Sequence, residues 1–275
     1  MSHRSSARVL APLSFFVCFA VSSLMAQRAP HDEGIGRCRD GDWGDDSRAH
    51  FCEIRESGFK AGGAVSVDPG ANGAIRFTGW DRDSVAVTAK IQTQAETDDD
   101  ARALARDIRI VISNGSIRAD GPGTGRRQSW SVSFDVSVPR RTDLTARTVN
   151  GPISVDDVAG RMELTAVNGP VHLDGVGGDV HARTTNGPLI VNLAGATWSG
   201  TGLDSETSNG PVELTIPANY AAHLETGTVN GPMNFDFPIT VQGRFSSRHI
   251  ETDLNGGGPT VRAVTTNGPL TVRRR

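Results

Sequence analysis

The tripeptide Asn-Gly-Pro begins at Asn150, Asn168, Asn186, Asn209, Asn230 and Asn267, and nothing else in the chain constrains its fold as tightly. Successive copies lie 18, 18, 23, 21 and 37 residues apart. A single Asn-Gly between alternating segments marks a two-residue hairpin, but hairpins need no common long-range period. Self-similarity at a period of about 20 residues is the mark of stacked structural repeats. The last gap is close to two periods, which predicts one degenerate repeat between Asn230 and Asn267.

Aligned on the asparagine, the repeats separate into columns. Three residues on stand Ile153, Val171, Leu189, Val212, Met233 and Leu270, and five on stand Val155, Leu173, Val191, Leu214, Phe235 and Val272. Six residues before it stand Leu144, Met162, Val180, Leu203, Leu224 and Val261. All are apolar, and period-2 spacing puts them on one face of each strand. Two residues before the asparagine come Thr148, Ala166, Thr184, Thr207, Thr228 and Thr265, small side chains of the same inward parity. The intervening Ser154, His172, Ile190, Glu213, Asn234 and Thr271 form a mostly polar outward column. Two short strands per repeat around a thin interior suit a chain with 32 glycines and 5% aromatic residues. The expected fold is all-β: a parallel β-solenoid, β-helix-like, of short coils of about 18–23 residues, with one short flanking or capping α-helix.

In such a fold the tripeptide is a structural corner rather than a ligand site. The corner residues are Asn150 and Gly151, Asn168 and Gly169, Asn186 and Gly187, Asn209 and Gly210, Asn230 and Gly231, and Asn267 and Gly268. Asn tolerates left-handed backbone and can hydrogen-bond the asparagine of the next coil, and Gly accepts positive φ. Pro then fixes φ at about −65° where a missing N–H is tolerated. ANGAIRF (Ala71–Phe77) and SNGSIRA (Ser113–Ala119) read as earlier corners without proline. WSVSFDVSV, with Trp130, Val132, Phe134, Val136 and Val138 on one face, is the strongest strand. Thr97 before DDDARALARD supplies an N-cap, first-turn acids and an apolar side at Leu104 and Ile108, so a short helix is expected to cover an edge.

The run GGAVSVDPGANGAIRFTGWDRDSVAV, then WSVSFDVSVP, then the recurrent Thr-x-Asn-Gly corners, resembles the bacterial putative-adhesin family, a domain of unknown function. The resemblance covers about residues 60–275. It implies an exported, envelope-associated β-solenoid and brings no catalytic residues with it. The proline after each Asn-Gly departs from the family's more usual small residue, which bears on corner stiffness rather than on fold.

Residues 1–26 read as a signal peptide: Arg4 and Arg8 precede the apolar run VLAPLSFFVCFAV, which is too short for a bilayer span. Its removal takes two arginines and no acid, moving the formal charge from −3 to −5 and giving no electrostatic case for nucleic acid. No later segment approaches the ~20 apolar residues of a transmembrane helix. Cys38 and Cys52 then remain, an even count that favours a disulfide in an oxidising compartment. The expected organisation is a signal at 1–26, a disulfide-closed segment at 27–59 and the β-solenoid domain at 60–275, located in the periplasm, at the cell surface or outside the cell.

Candidate chemistry is sparse. In HIETD, His249, Glu251 and Asp253 share an outward face, where an acid/base pair or a weak metal site is conceivable, although a solvated strand is the simpler reading. DGDWGDD (Asp40–Asp46) concentrates carboxylates but lacks EF-hand spacing. His172 and His181 face outward on different strands without companion ligands. No catalytic, cofactor or metal residues are assigned. The expected function is a non-enzymatic adhesin or binding scaffold for an envelope component, glycan or protein. A polysaccharide lyase-like enzyme, suggested by fold alone, and a purely structural spacer are the alternatives.

Overall fold

A computed structural model describes residues 35, 37, 38, 48–125, 127–236 and 245–275. The signal at 1–26 and the Asp40–Asp46 loop lie outside the described residues, which all belong to one compact unit, Gly34–Arg275. No helix among the described residues is long and apolar enough to cross a membrane.

Strands β1 (Ala49–Lys60), β2 (Ala64–Asp68), β3 (Ile75–Trp80) and β4 (Ser84–Ala95) precede the helix α1 (Asp98–Asp107). After it come β5 (Arg109–Ser113), β6 (Ser116–Asp120) and β7 (Ser129–Pro139). The repeat region supplies β8 (Asp143–Asn150), β9 (Ile153–Asp156), β10 (Ala159–Asn168), β11 (Val171–Asp174), β12 (Gly177–Asn186) and β13 (Leu189–Asn192). It continues with β14 (Gly202–Asn209), β15 (Val212–Ile216), β16 (Ala222–Asn230) and β17 (Met233–Phe235). The chain ends with β18 (Phe245–Ser246), β19 (His249–Leu254), β20 (Thr260–Asn267) and β21 (Leu270–Arg274).

Among the described residues the fold is all-β with one short helix: two large, mostly parallel sheets of ten and eleven strands. Each repeat places one strand in each sheet, and the expected columns form the layer between them. Val180, Ala182, Leu189 and Val191, from one repeat, are all fully buried. Burying each such Val or Leu contributes roughly 1.5–3 kcal/mol, so stability accumulates repeat by repeat. β7 behaves as its alternation predicts, with Val132, Phe134, Val136 and Val138 fully buried.

The order of stacking departs from the order of the sequence at both ends. β6 and β7 lie outside β2 and β3, so the chain returns inward to begin β8. At the other end β20 pairs with β14 on one side and β16 on the other, and β21 lies between β15 and β17. The last repeat is thus wedged between two earlier ones. In place of the expected degenerate parallel repeat between Asn230 and Asn267, β19 pairs antiparallel with β16, and β18 with β19. The physical cause is the interchangeability of the corners: any repeat offers the same pairing edge to any other.

Antiparallel strands also finish the opposite end. β1 pairs with β4 over its whole length and β4 with β7. Asn114-Gly115, expected as a corner, is instead the hairpin between β5 and β6. Both residues have positive φ, 49° and 78°, as a type I′ turn requires. Helix α1 forms where the sequence placed it. Thr97 caps it, accepting from the Asp100 N–H and donating to the Asp100 carboxylate, and Ala101, Leu104 and Ala105 are buried. Its C-terminal end is held by Arg55 of β1, whose guanidinium donates to the carbonyls of Ile108 (2.6 Å) and Ala105 (2.9 Å), a favourable cation at that end of a helix. Cys38 and Cys52 form a disulfide, with Cα atoms 5.8 Å apart.

Candidate functional site

The twelve corner residues line up along one edge of the stack. Asn168 Nδ2 donates to Asn150 Oδ1, Asn186 to Asn168, Asn209 to Asn186, Asn267 to Asn209 and Asn230 to Asn267, at 2.8–3.0 Å. Asn150 extends the ladder to Asn72 at 2.9 Å, so ANGAIRF does join it. The side-chain amides thus bond chiefly to one another.

The corner is not left-handed. No corner asparagine has positive φ, and among the corner glycines only Gly151 does, at a nearly extended 153°. Glycine is needed for a different reason. A Cβ on Gly169 would sit 2.1 Å from the carbonyl oxygen of Gly151, and one on Gly187 would sit 2.2 Å from that of Gly169. The turns stack too closely for any side chain.

Proline and threonine answer each other in this corner. Gly169 N–H donates to the Asn186 carbonyl, so in a regular parallel ladder the Gly169 carbonyl would accept the N–H of residue 188. That residue is proline and has none. The Thr184 hydroxyl supplies the donor instead, at 2.8 Å from the Gly169 carbonyl. Thr148, Thr207, Thr265 and Thr228 do the same for Gly73, Gly187, Gly210 and Gly268, at 2.9–3.0 Å. The one repeat without a hydroxyl is that of Ala166, which is buried and in register with Thr148 and Thr184 on the neighbouring strands. Ala166→Thr is therefore expected to stabilise the protein by about 1 kcal/mol, the usual net worth of an intramolecular hydrogen bond. An unchanged or lowered denaturation midpoint would contradict this account.

With the repeated residues occupied in holding turns together, the outward positions remain for contact. The outer face of the eleven-stranded sheet brings the HIETD residues beside partners distant in sequence. β19 aligns Glu251 with Glu225 and Asp253 with His223. His223 lies 2.8 Å from Asp253 and 3.6 Å from Glu251. His249 does not join them; it faces Gly227, where a Cβ would come within 3.2 Å of its Nδ1. Alongside, Arg262 of the wedged β20 bonds Asp204 at 2.6 Å and Glu225 at 3.2 Å, with Glu206 at 3.9 Å. Partial burial works against the Arg262 charge, but hydrogen bonding and attraction from Asp204, then Glu225, outweigh it and hold its pKa above the usual value. His181 sits between Asp179 (3.3 Å) and Asp204 (3.7 Å), with Arg183 also 3.7 Å from Asp204.

The sequence offered Glu251 and Asp253 but not His223, nor the grouping of Asp204 with Arg262 and Glu225. Reordered turns create that grouping, so no local signal announces it. His172, on the other sheet, contacts Asn192 at 3.2 Å. Among the described residues no three His, Cys, Asp or Glu side chains are placed to hold a metal ion. Six carboxylates (Asp179, Asp204, Glu206, Glu225, Glu251 and Asp253) against the two arginines Arg183 and Arg262 make this region rich in acidic groups. Its chemistry is that of an ion-paired contact surface.

No family model matches the chain, and no curated protein matches it. Among solved structures it is similar to a putative cell adhesion protein from Clostridium sporogenes, at 8% identity over 81% of this chain and 100% of that one, with a TM-score of 0.46. It is also similar to a putative adhesin from Bacteroides fragilis (13% identity, 81% and 97% covered, TM-score 0.39). A third is a putative lipid binding protein from Parabacteroides distasonis (9% identity, 80% and 96% covered, TM-score 0.38).

Proposed function

We propose that this chain is an exported, non-enzymatic binding scaffold of the bacterial envelope, its stacked repeats forming a parallel β-solenoid that presents one sheet face to a partner. The observation that carries the reading is the division of labour within each repeat. Thr, Asn, Gly and Pro hold neighbouring turns together, which leaves the non-repeating outward residues as the contact chemistry. Those residues assemble, through Arg262 and His223, into a continuous net-acidic surface on the outer face of the eleven-stranded sheet. A partner offering basic groups matches it, and exposed charge of this kind steers association and selects partners.

The test uses protein recovered from cells, which is expected to begin near Gln27. The immobilised protein is expected to retain an envelope component that a Glu251→Gln/Asp253→Asn variant retains at least about fivefold less, a loss of roughly 1 kcal/mol of binding. Both positions are partly exposed, so the variant should melt within about 0.5 kcal/mol of the parent. Equal retention by parent and variant defeats the assignment of this face.

A further inference from the structure

We propose that a cleft beside helix α1 binds a neutral oligosaccharide, stacking a sugar ring on Trp130 and hydrogen-bonding its hydroxyls to Asp107, Arg109 and Asp120. The cleft has a volume of about 670 Å³ and lies where α1 runs into β5 and where β6 leaves for the loop before β7. That volume falls within the range of small-molecule sites and suits two or three sugar rings.

Trp130 is the aromatic wall. Its indole N–H donates to the Pro122 carbonyl at 2.7 Å, which fixes the ring's orientation. Glycines stand beside it: a Cβ on Gly121 would lie 2.9 Å from Cε2 and Cζ2 of the indole, and one on Gly70 would lie 3.5 Å from Cη2. The backbones of both glycines therefore pack close against the indole, and the remainder of the half-buried ring lines the cleft. The other described tryptophans are differently occupied. Trp198 is buried at 3% exposure, and Arg82 sits 4.7 Å over the ring of Trp80. A half-buried indole with its N–H satisfied presents apolar ring surface to the cleft, which matches the C–H face of a pyranose.

The polar groups around it complete the match. Asp107 closes α1 and Arg109 opens β5, and both line the cleft. Among the described residues, none makes an ion pair or a side-chain hydrogen bond to either of them. Asp120 is held in place by Arg118, at 3.2 and 3.3 Å, and keeps lone pairs free on its carboxylate. Carboxylates accept from vicinal hydroxyls and a guanidinium donates to hydroxyl or ring oxygens, so these three groups recognise the edge of a sugar whose face lies on the indole. The local charge, two carboxylates against Arg109 with Arg118 balancing one of them, is close to neutral and favours an uncharged glycan.

This inference rests on the scaffold reading only in taking its glycan from the envelope. The cleft shares no residue with the charged face, so either can fail alone. The full exported protein is titrated with cellotriose, maltotriose and chitotriose, following tryptophan fluorescence and heat. At least one is expected to bind saturably with a Kd on the order of 1 mM. Trp130→Ala should abolish the response. Asp107→Asn and Arg109→Ala, both without a side-chain partner among the described residues, should each weaken binding at least about fivefold, the worth of one hydrogen bond, without moving the melting temperature. Absence of saturation with all three sugars up to roughly 10 mM, ten times that Kd, overturns the proposal. So does unchanged affinity in the folded Asp107→Asn and Arg109→Ala proteins, which decide the matter even if Trp130→Ala fails to fold.

Discussion

A chain ending at Gly258 is expected to lose far more than its last repeat. β20 and β21 lie between earlier turns, with Val261, Ala263, Leu270 and Val272 all fully buried. Their removal takes away both parallel partners of β16 and β17 and leaves β14 and β15 as open edges. The lost burial, at roughly 1.5–3 kcal/mol for each large side chain on each apposed surface, is on the order of 10 kcal/mol, comparable to the whole stability of a typical domain. Residues 222–254 should therefore become protease-sensitive together with the truncation, and the thermal transition should broaden or vanish. Had the last repeat been a terminal cap, only its own contacts would be lost. A truncated chain that melts cooperatively with 222–254 still protected would refute the wedged arrangement.

Gly187→Ala is the second large effect. Its backbone is not left-handed, so conformational strain alone predicts little. The added methyl, however, would stand 2.2 Å from the Gly169 carbonyl oxygen and 2.5 Å from its carbon, both backbone atoms with neighbours stacked on either side. Relief requires two turns to separate and their hydrogen bonds, 3.0 Å for Gly187 N–H to Asn209, to stretch. The expected cost is about 3–5 kcal/mol, beyond ordinary overpacking, or roughly 10 °C in melting temperature for a domain of this size. Gly62→Ala, with nothing within 4 Å of the new methyl, should stay within about 0.5 kcal/mol. If the two variants melt alike, close stacking is not what selects glycine at the corner.

Much of this was legible from residue order. Period-2 columns around each asparagine gave the inward side chains, because alternation is a local property of a strand. Thr97 and the acids after it gave the helix for an equally local reason. The role of the glycine was misread because φ is a local expectation, whereas the carbonyl that excludes a Cβ belongs to a turn 18 or more residues away. Asn114-Gly115 was misread the other way: it looks like a corner, but β5 and β6 flank it closely enough to pair as a hairpin.

The sequence by itself determined what each repeat is: two strands, an apolar inner face, and an Asn-Gly-Pro corner; that a threonine replaces the donor the proline lacks in five of the six was seen only in the structure. Only the tertiary structure decided which repeat lies beside which. Corners at Asn209, Asn230 and Asn267 are chemically equivalent, so each can neighbour either of the others. The order is broken only by long-range pairing, with β19 antiparallel on β16 and the last repeat drawn inside. That choice brings Arg262 to Asp204, 58 residues away, and His223 to Asp253, 30 residues away. The charged surface is therefore a property of the stacking, since side chains on neighbouring strands meet according to register and not according to their distance along the chain.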